Sequence, residues 1–188
     1  MKYAATAFLF LGLILISCSP KSKFEKEIQV IDENLNTIDS VEEVVHSLQY
    51  DSLSYMVKTC KENLKQAQKY YTMDTIDQKF ANELTYYKGI KKGVPSPHKL
   101  QHDWENEIEQ LREQFKHLKH DVENGLLSED KVKEYTKRES EDLKALLKEV
   151  EVFQKTYKSV ADVFYQYNAS IEQYIERLKK MNEQQTAG

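Results

Sequence analysis

Two histidine pairs are the first residues in this chain whose types and spacing suit chemistry. His98 and His102 lie four residues apart, His117 and His120 three apart, and Glu113 sits one turn before His117. On a helix such spacings share a face, and inward-facing Glu and His are how helical bundles hold metal ions. A buried metal needs inward ligands, however. The apolar stripe of this segment is Trp104, Ile108, Leu111, Phe115, Leu118 and Val122, and His117 and His120 fall beside or opposite it. The two pairs are also separated by roughly 28 Å of helix, too far to share an ion. The pattern predicts a solvated His/Lys-rich face, with no metal and no cofactor. Cys60 is the next candidate, but it sits on an apolar stripe, where a thiol is usually inert filler. Neither a glycine-rich phosphate loop nor a Gly-x-Ser-x-Gly turn is present. No catalytic residue is assigned, and the expected role is non-enzymatic.

Three further groups suit binding or modification. Lys88, Lys91, Lys92 and Lys99, with His98, form a basic loop fit to contact an acidic envelope polymer or lipid headgroups. The competing reading is a solvated turn whose lysines compensate a helix dipole. The chain holds 12 tyrosines, a high number, and Tyr157, Tyr167 and Tyr174 join Phe164 on one helical seam. Rings that bury while their hydroxyls seek partners suit either a thin bundle core or a protein-binding surface. Asp39-Ser40-Val41, Asp51-Ser52-Leu53 and Asp74-Thr75-Ile76 share one pattern. It resembles the O-glycosylation signal of exported proteins in one bacterial phylum, which would modify Ser40, Ser52 and Thr75. The same residues are preferred helix caps, and Ser40 with Glu43 makes a capping box.

The elements that must position these residues are helices. Gly and Pro, 5 and 3 in number, cluster at Gly89, Gly93, Pro95, Pro97 and Gly125, and the stretches between carry helical periodicity. From Leu143 through Leu146, Val150, Phe153, Tyr157, Val160, Phe164, Tyr167, Ile171, Tyr174 and Leu178 to Met181, apolar residues alternate at spacings of three and four. That period keeps a seam against a partner helix, and no carboxylate interrupts it. A cap at Ser128 starts this helix, which runs to about Asn182, roughly 80 Å. Ser96 and Pro97 open the preceding helix and Gly125 closes it, so the short connection over 125–128 forces an antiparallel hairpin. Upstream, Leu53, Val57, Cys60, Leu64, Ala67 and Tyr71 form a third stripe, and Ile76, Phe80, Leu84 and Tyr87 a fourth. Phe24, Ile28, Ile31, Leu35 and Ile38 make a short leading helix. The expected fold is all-α: an elongated antiparallel helical bundle, or intramolecular coiled coil, with one very long C-terminal helix. A helix over 97–124 is only about 42 Å long and covers half of the last one. The far half, Tyr157 to Met181, needs cover either from residues 24–71 or from a second chain.

The first 18 residues carry a different signal. Met1-Lys2-Tyr3 is basic, residues 4–16 are apolar but for Thr6 and Gly12, and Leu15-Ile16-Ser17-Cys18 follows. The apolar run is shorter than the ~20 residues a membrane span needs, so it reads as a cleavable signal. Leu15-Ile16-Ser17-Cys18 resembles the lipobox of bacterial lipoproteins, which implies lipidation at Cys18 and export to the outer side of a membrane. By the same resemblance, Ser19 after the Cys implies the outer membrane in a two-membrane envelope. The resulting organisation is a signal peptide over 1–17, a lipidated tether over 18–23, a helical bundle over 24–184 and a disordered tail over 185–188. Loss of Lys2 with the signal takes the formal charge from −4 to near −5, against a general nucleic-acid binder. Cys60 then has no intramolecular disulfide partner, and packing alone must hold the fold. Lipobox, Lys21-Ser22-Lys23 tether and Tyr-rich helical body together resemble small envelope lipoproteins and, more remotely, the cell-wall-binding helical lipoproteins. That likeness implies a membrane anchor, and the unbroken apolar seam points to a structural or docking role with an envelope protein partner. Beyond Cys18 it carries no functional residue.

Overall fold

The computed structural model describes residues 23–72, 75, 77–91 and 96–186. The expected signal peptide and tether through Ser22, and with them Cys18, lie outside these residues, as do Lys92, Asp74 and Ile76. The fold is all-α. Its elements are α1 (Glu25–Ser47), α2 (Tyr50–Tyr70), α3 (Gln78–Tyr87), a 3-10 turn (Lys88–Lys91), α4 (Pro97–Glu123) and α5 (Glu129–Thr186). Over 58 residues, α5 is about 87 Å long. It continues into the segment expected to be a disordered tail.

Three rods pack side by side, and α5 is the unbroken one. The first is made of α1 and α2, laid end to end with an interruption at Leu48 and Gln49. Both run parallel to α5. The hydrogen bonds Asn34 to Ser140, Tyr157 to Ser52 and Asn63 to Asn168 keep a nearly constant sequence offset of 106, 105 and 105. Two helices that hold one register along a third are a single rod with a joint. The third rod is α3, the 3-10 turn and α4, running antiparallel to α5. Phe80 stacks on Tyr174, the Ser170 hydroxyl donates to Glu83, and Trp104 meets Phe153 edge-on. The length mismatch seen in the sequence is thus resolved within the chain. α1 and α4 cover the near half of α5, and α2 and α3 cover the far half.

Local chemistry explains the breaks. At the α1–α2 joint Leu48 is extended, with ψ 142°, and the Tyr50 hydroxyl donates to the Val45 carbonyl at 3.0 Å, satisfying a helix end. Asp77 caps α3 by accepting from the Phe80 N–H at 3.0 Å. After α4, Gly125 adopts φ 66°, and Leu126 N–H donates to Asp121 while Gly125 N–H donates to Val122. That is a Schellman motif, which requires a left-handed residue and explains the glycine.

Three sequence expectations are corrected here. The leading helix is longer than Phe24–Ile38, because Val41 and Val45 continue its buried face. Ser40 is therefore no cap. It lies inside α1, and its hydroxyl donates back to the Asn36 carbonyl at 3.0 Å. Ser52 lies within the first turn of α2 and Thr75 in a bend before α3, so the capping positions fall at Phe24, Gln49 and Asp77 instead. The long seam also begins earlier than Leu143. Val132, Thr136 and Glu139 extend it at the same spacing and are all buried. The polar Thr and Glu hid that extension.

Candidate functional site

The half of the bundle built from α2, α3 and the end of α5 holds most of the aromatic contacts among the described residues. Of the four aromatic residues assigned to a docking face, Phe164 and Tyr174 are buried at 4% and 8% exposure, and Tyr157 and Tyr167 are half-buried. The cover comes from this same chain. Phe164 lies against Tyr55, Tyr87 and Tyr165, and Tyr174 stacks on Phe80 at 3.9 Å. Phe164 and Tyr174 are core, and the docking assignment does not hold for them, since their rings are consumed by intramolecular packing. The rings that reach solvent are others. Tyr55, Tyr86 and Tyr165 are 61%, 62% and 72% exposed. Tyr86 stacks on Tyr167 at 5.8 Å, and Tyr55 meets Phe164 at 6.0 Å. Sequence reading passed over these three because none sits on an apolar seam. Their signal was the opposite one, an aromatic ring on a polar face.

Beneath this surface lies a buried polar knot. Asn63 donates through Nδ2 to the Tyr87 hydroxyl at 3.2 Å and to Asn168 Oδ1 at 3.1 Å, and the Tyr87 hydroxyl itself donates to Asn168. The Cys60 thiol donates to the Tyr87 carbonyl at 3.3 Å. Burial raises the Tyr87 phenol well above its ordinary range, only partly opposed by the Asn63 hydrogen bond. Burial likewise pushes the Cys60 thiol up to about 11, against the opposing pull of the nearby Lys91 and Lys61 charges. A thiol held protonated in the core is a poor nucleophile at neutral pH. Every side chain in the knot is occupied by another, which is the arrangement of a structural network rather than a reaction centre.

The histidines are dispersed. His98 faces Asp51 at 3.3 Å, His46 faces Glu105 at 3.9 Å, and His117 faces Glu113 at 4.0 Å. Among the described residues no group of three or more His, Cys, Asp and Glu is placed to hold a metal ion. The basic-loop residues divide. Lys99 is engaged with Asp103 at 2.6 Å, whereas Lys88 and Lys91 are exposed on the 3-10 turn. Ser40 and Thr75 are exposed, and Ser52 is half-buried beside the Tyr157 hydroxyl at 3.5 Å. Among the described residues no helix is long and apolar enough to cross a membrane.

The chain enters the bundle at the opposite end from the aromatic half. Lys23 pairs with Glu129, the first residue of α5, at 3.3 Å. Counted along α5 from there, Tyr165 is about 54 Å away. No protein-family model, no curated protein and no solved structure matches this chain.

Proposed function

We propose that the protein is a lipid-anchored strut of a bacterial envelope that presents its far end to a protein partner, without catalysing a reaction. The observation that carries this reading is where the exposed rings lie. Tyr55, Tyr86 and Tyr165 gather on the half of the bundle farthest from the point where the chain enters. Tyrosine is favoured at protein interfaces because it brings apolar area and a hydrogen bond with few rotatable bonds. A lipid on Cys18 would fix the Lys23 end at the membrane and hold the tyrosines about 50 Å out from it. The lipobox-like segment supports the anchor, and the unbroken α5 supplies the stiffness.

The test has two arms. Cys18→Ser is expected to move the protein out of the membrane fraction, and its retention there would remove the anchor. Photocrosslinking groups at positions 55 and 165, in native cells, are expected to capture one stoichiometric protein that a group at Lys26 does not. Equal capture from both ends, or capture unaffected by Tyr86→Ser, would remove the docking reading.

A further inference from the structure

A groove of about 520 Å³ opens between α2 and α3, a volume within the range of small-molecule sites. Its floor is apolar, made by Leu64, Ala67, Phe80 and Leu84. Its rim is basic. Lys61 and Lys65 come from α2, Lys88 and Lys91 from the 3-10 turn, and among the described lining residues there is no Asp or Glu. None of these four lysines is ion-paired with a carboxylate of the described residues, although the chain as a whole carries a net charge of −4. Helix-dipole compensation accounts for Lys88 and Lys91 at the end of α3. It does not account for Lys61 and Lys65, which lie in the middle of α2.

The groove is also polarised along its length. α2 and α3 run antiparallel, so Cys60 meets Tyr87 at one end while Tyr71 stacks on Phe80 at the other. At the first end the charges of Lys61 and Lys91 converge closely enough to act on the Cys60 thiol, and Lys88 follows Tyr87 directly. At the second end, the Tyr71, Phe80 and Tyr174 rings form a continuous stack. The Tyr71 hydroxyl donates to the Thr75 carbonyl and accepts from the Asp77 N–H, which fixes the half-buried ring in place. Lys61, Lys88 and Lys91 gather at one end, aromatic carbon lines the other, and between them lies the apolar floor with Lys65 on its rim.

We infer that this groove binds a single-chain amphiphile with an anionic head, specifically a long-chain fatty acid. Its carboxylate sits among Lys61, Lys88 and Lys91 and its acyl chain lies along Leu64 and Leu84 toward Phe80. A tail-less polyanion would match the lysines but leave the apolar floor wet. An uncharged lipid would cover the floor but leave the lysines unmatched. The inference rests on the groove alone, and needs neither the anchor on Cys18 nor the exposed tyrosines.

The purified full chain, stripped of bound amphiphiles on hydrophobic beads, is titrated with oleate labelled with ¹³C at the carboxyl carbon. A protein-bound carboxyl resonance saturating at one equivalent is expected. Ala81→Trp, which fills the groove from a half-buried position, should abolish it with helicity and melting temperature retained. Lys61→Gln with Lys88→Gln should weaken binding about tenfold, as lost charge-assisted contacts do. Absence of a bound resonance, or unchanged binding by Ala81→Trp, overturns the inference. Displacement of oleate by inorganic phosphate or a soluble polyanion at equal concentration also overturns it, since the groove would then read charge alone.

Discussion

The two halves of α5 are covered by different chemistry. Near the entry point, α1 and α4 pack aliphatic side chains such as Ile31, Ile38 and Leu111 against Val132, Leu143 and Leu146 of the α5 core face, and ion pairs lace their outer edges. Lys119 reaches Asp32 at 2.5 Å, and Arg112 reaches Glu42 at 2.7 Å and Asp39 at 3.3 Å. At the far end, rings and amides join the buried aliphatics Ile171, Ile175 and Leu178. The halves also treat buried polar groups oppositely. The far half ties Asn63, Tyr87 and Asn168 into one knot, whereas in the near half Thr136 Oγ1 and Glu139 Oε2 are buried without a hydrogen-bond partner among the described residues. The same heptad-like seam thus supports two kinds of core. A fully paired polar network fixes one arrangement of its helices, while unpaired polar atoms weaken the packing around them.

The largest effect that tests this contrast is truncation of a large buried ring in each half. Trp104→Ala and Phe164→Ala should each lower unfolding free energy by about 3–5 kcal/mol. Urea denaturation followed by circular dichroism reads both. If the halves are cooperative, either variant shifts the whole transition; two separated transitions would show that they unfold independently. Next comes alkaline pH. Cys60 is raised to about 11 and Tyr174 to about 12 by burial, with Asp77 adding to the latter. A raised folded-state value means that the unfolded chain loses its proton first, so stability falls as pH rises from about 9 toward 12. The slope is about 1.4 kcal/mol per pH unit for each group whose protonation differs between the states. Hydrogen exchange on that side should show α2 and α3 opening before α1 and α4.

Asn168→Ala removes the acceptor shared by Asn63 and Tyr87 and should destabilise by about 1–3 kcal/mol, read from the same denaturation curves. Thr136→Val makes a similar polar deletion in the near half and should do the reverse, raising stability by up to about 1 kcal/mol. A loss of stability with Thr136→Val would mean that its hydroxyl is paired after all, and the contrast between the halves would collapse.

Much of the architecture was legible because helical periodicity is a local property. The stripe Trp104 to Val122, the turn at Gly125 and the seam from Leu143 to Leu178 each follow from spacings of three and four, and all are buried or half-buried as the pattern requires. Helix ends were less legible where hydroxyl residues sit inside helices. Ser40 satisfies its own hydroxyl on the preceding turn, so a strong capping signal marks nothing. Ile175, buried at 2%, escaped a strict single seam because it lies beside the seam position Tyr174 rather than on it. One stripe describes contact with one partner, and α5 has two along its whole length.

The sequence by itself determined that the chain is helical, where its principal apolar faces run, and that the far half of α5 needed cover. Only the tertiary structure decided who supplies it. A period fixes a side chain's direction about its own helix axis but says nothing of which axis lies opposite. So it was packing that laid α1 and α2 end to end along α5. Packing also turned Tyr55, Tyr86 and Tyr165 outward while closing over Phe164 and Tyr174. And it brought Lys61 and Lys65, distant in sequence from the basic loop, to the same groove as Lys88 and Lys91.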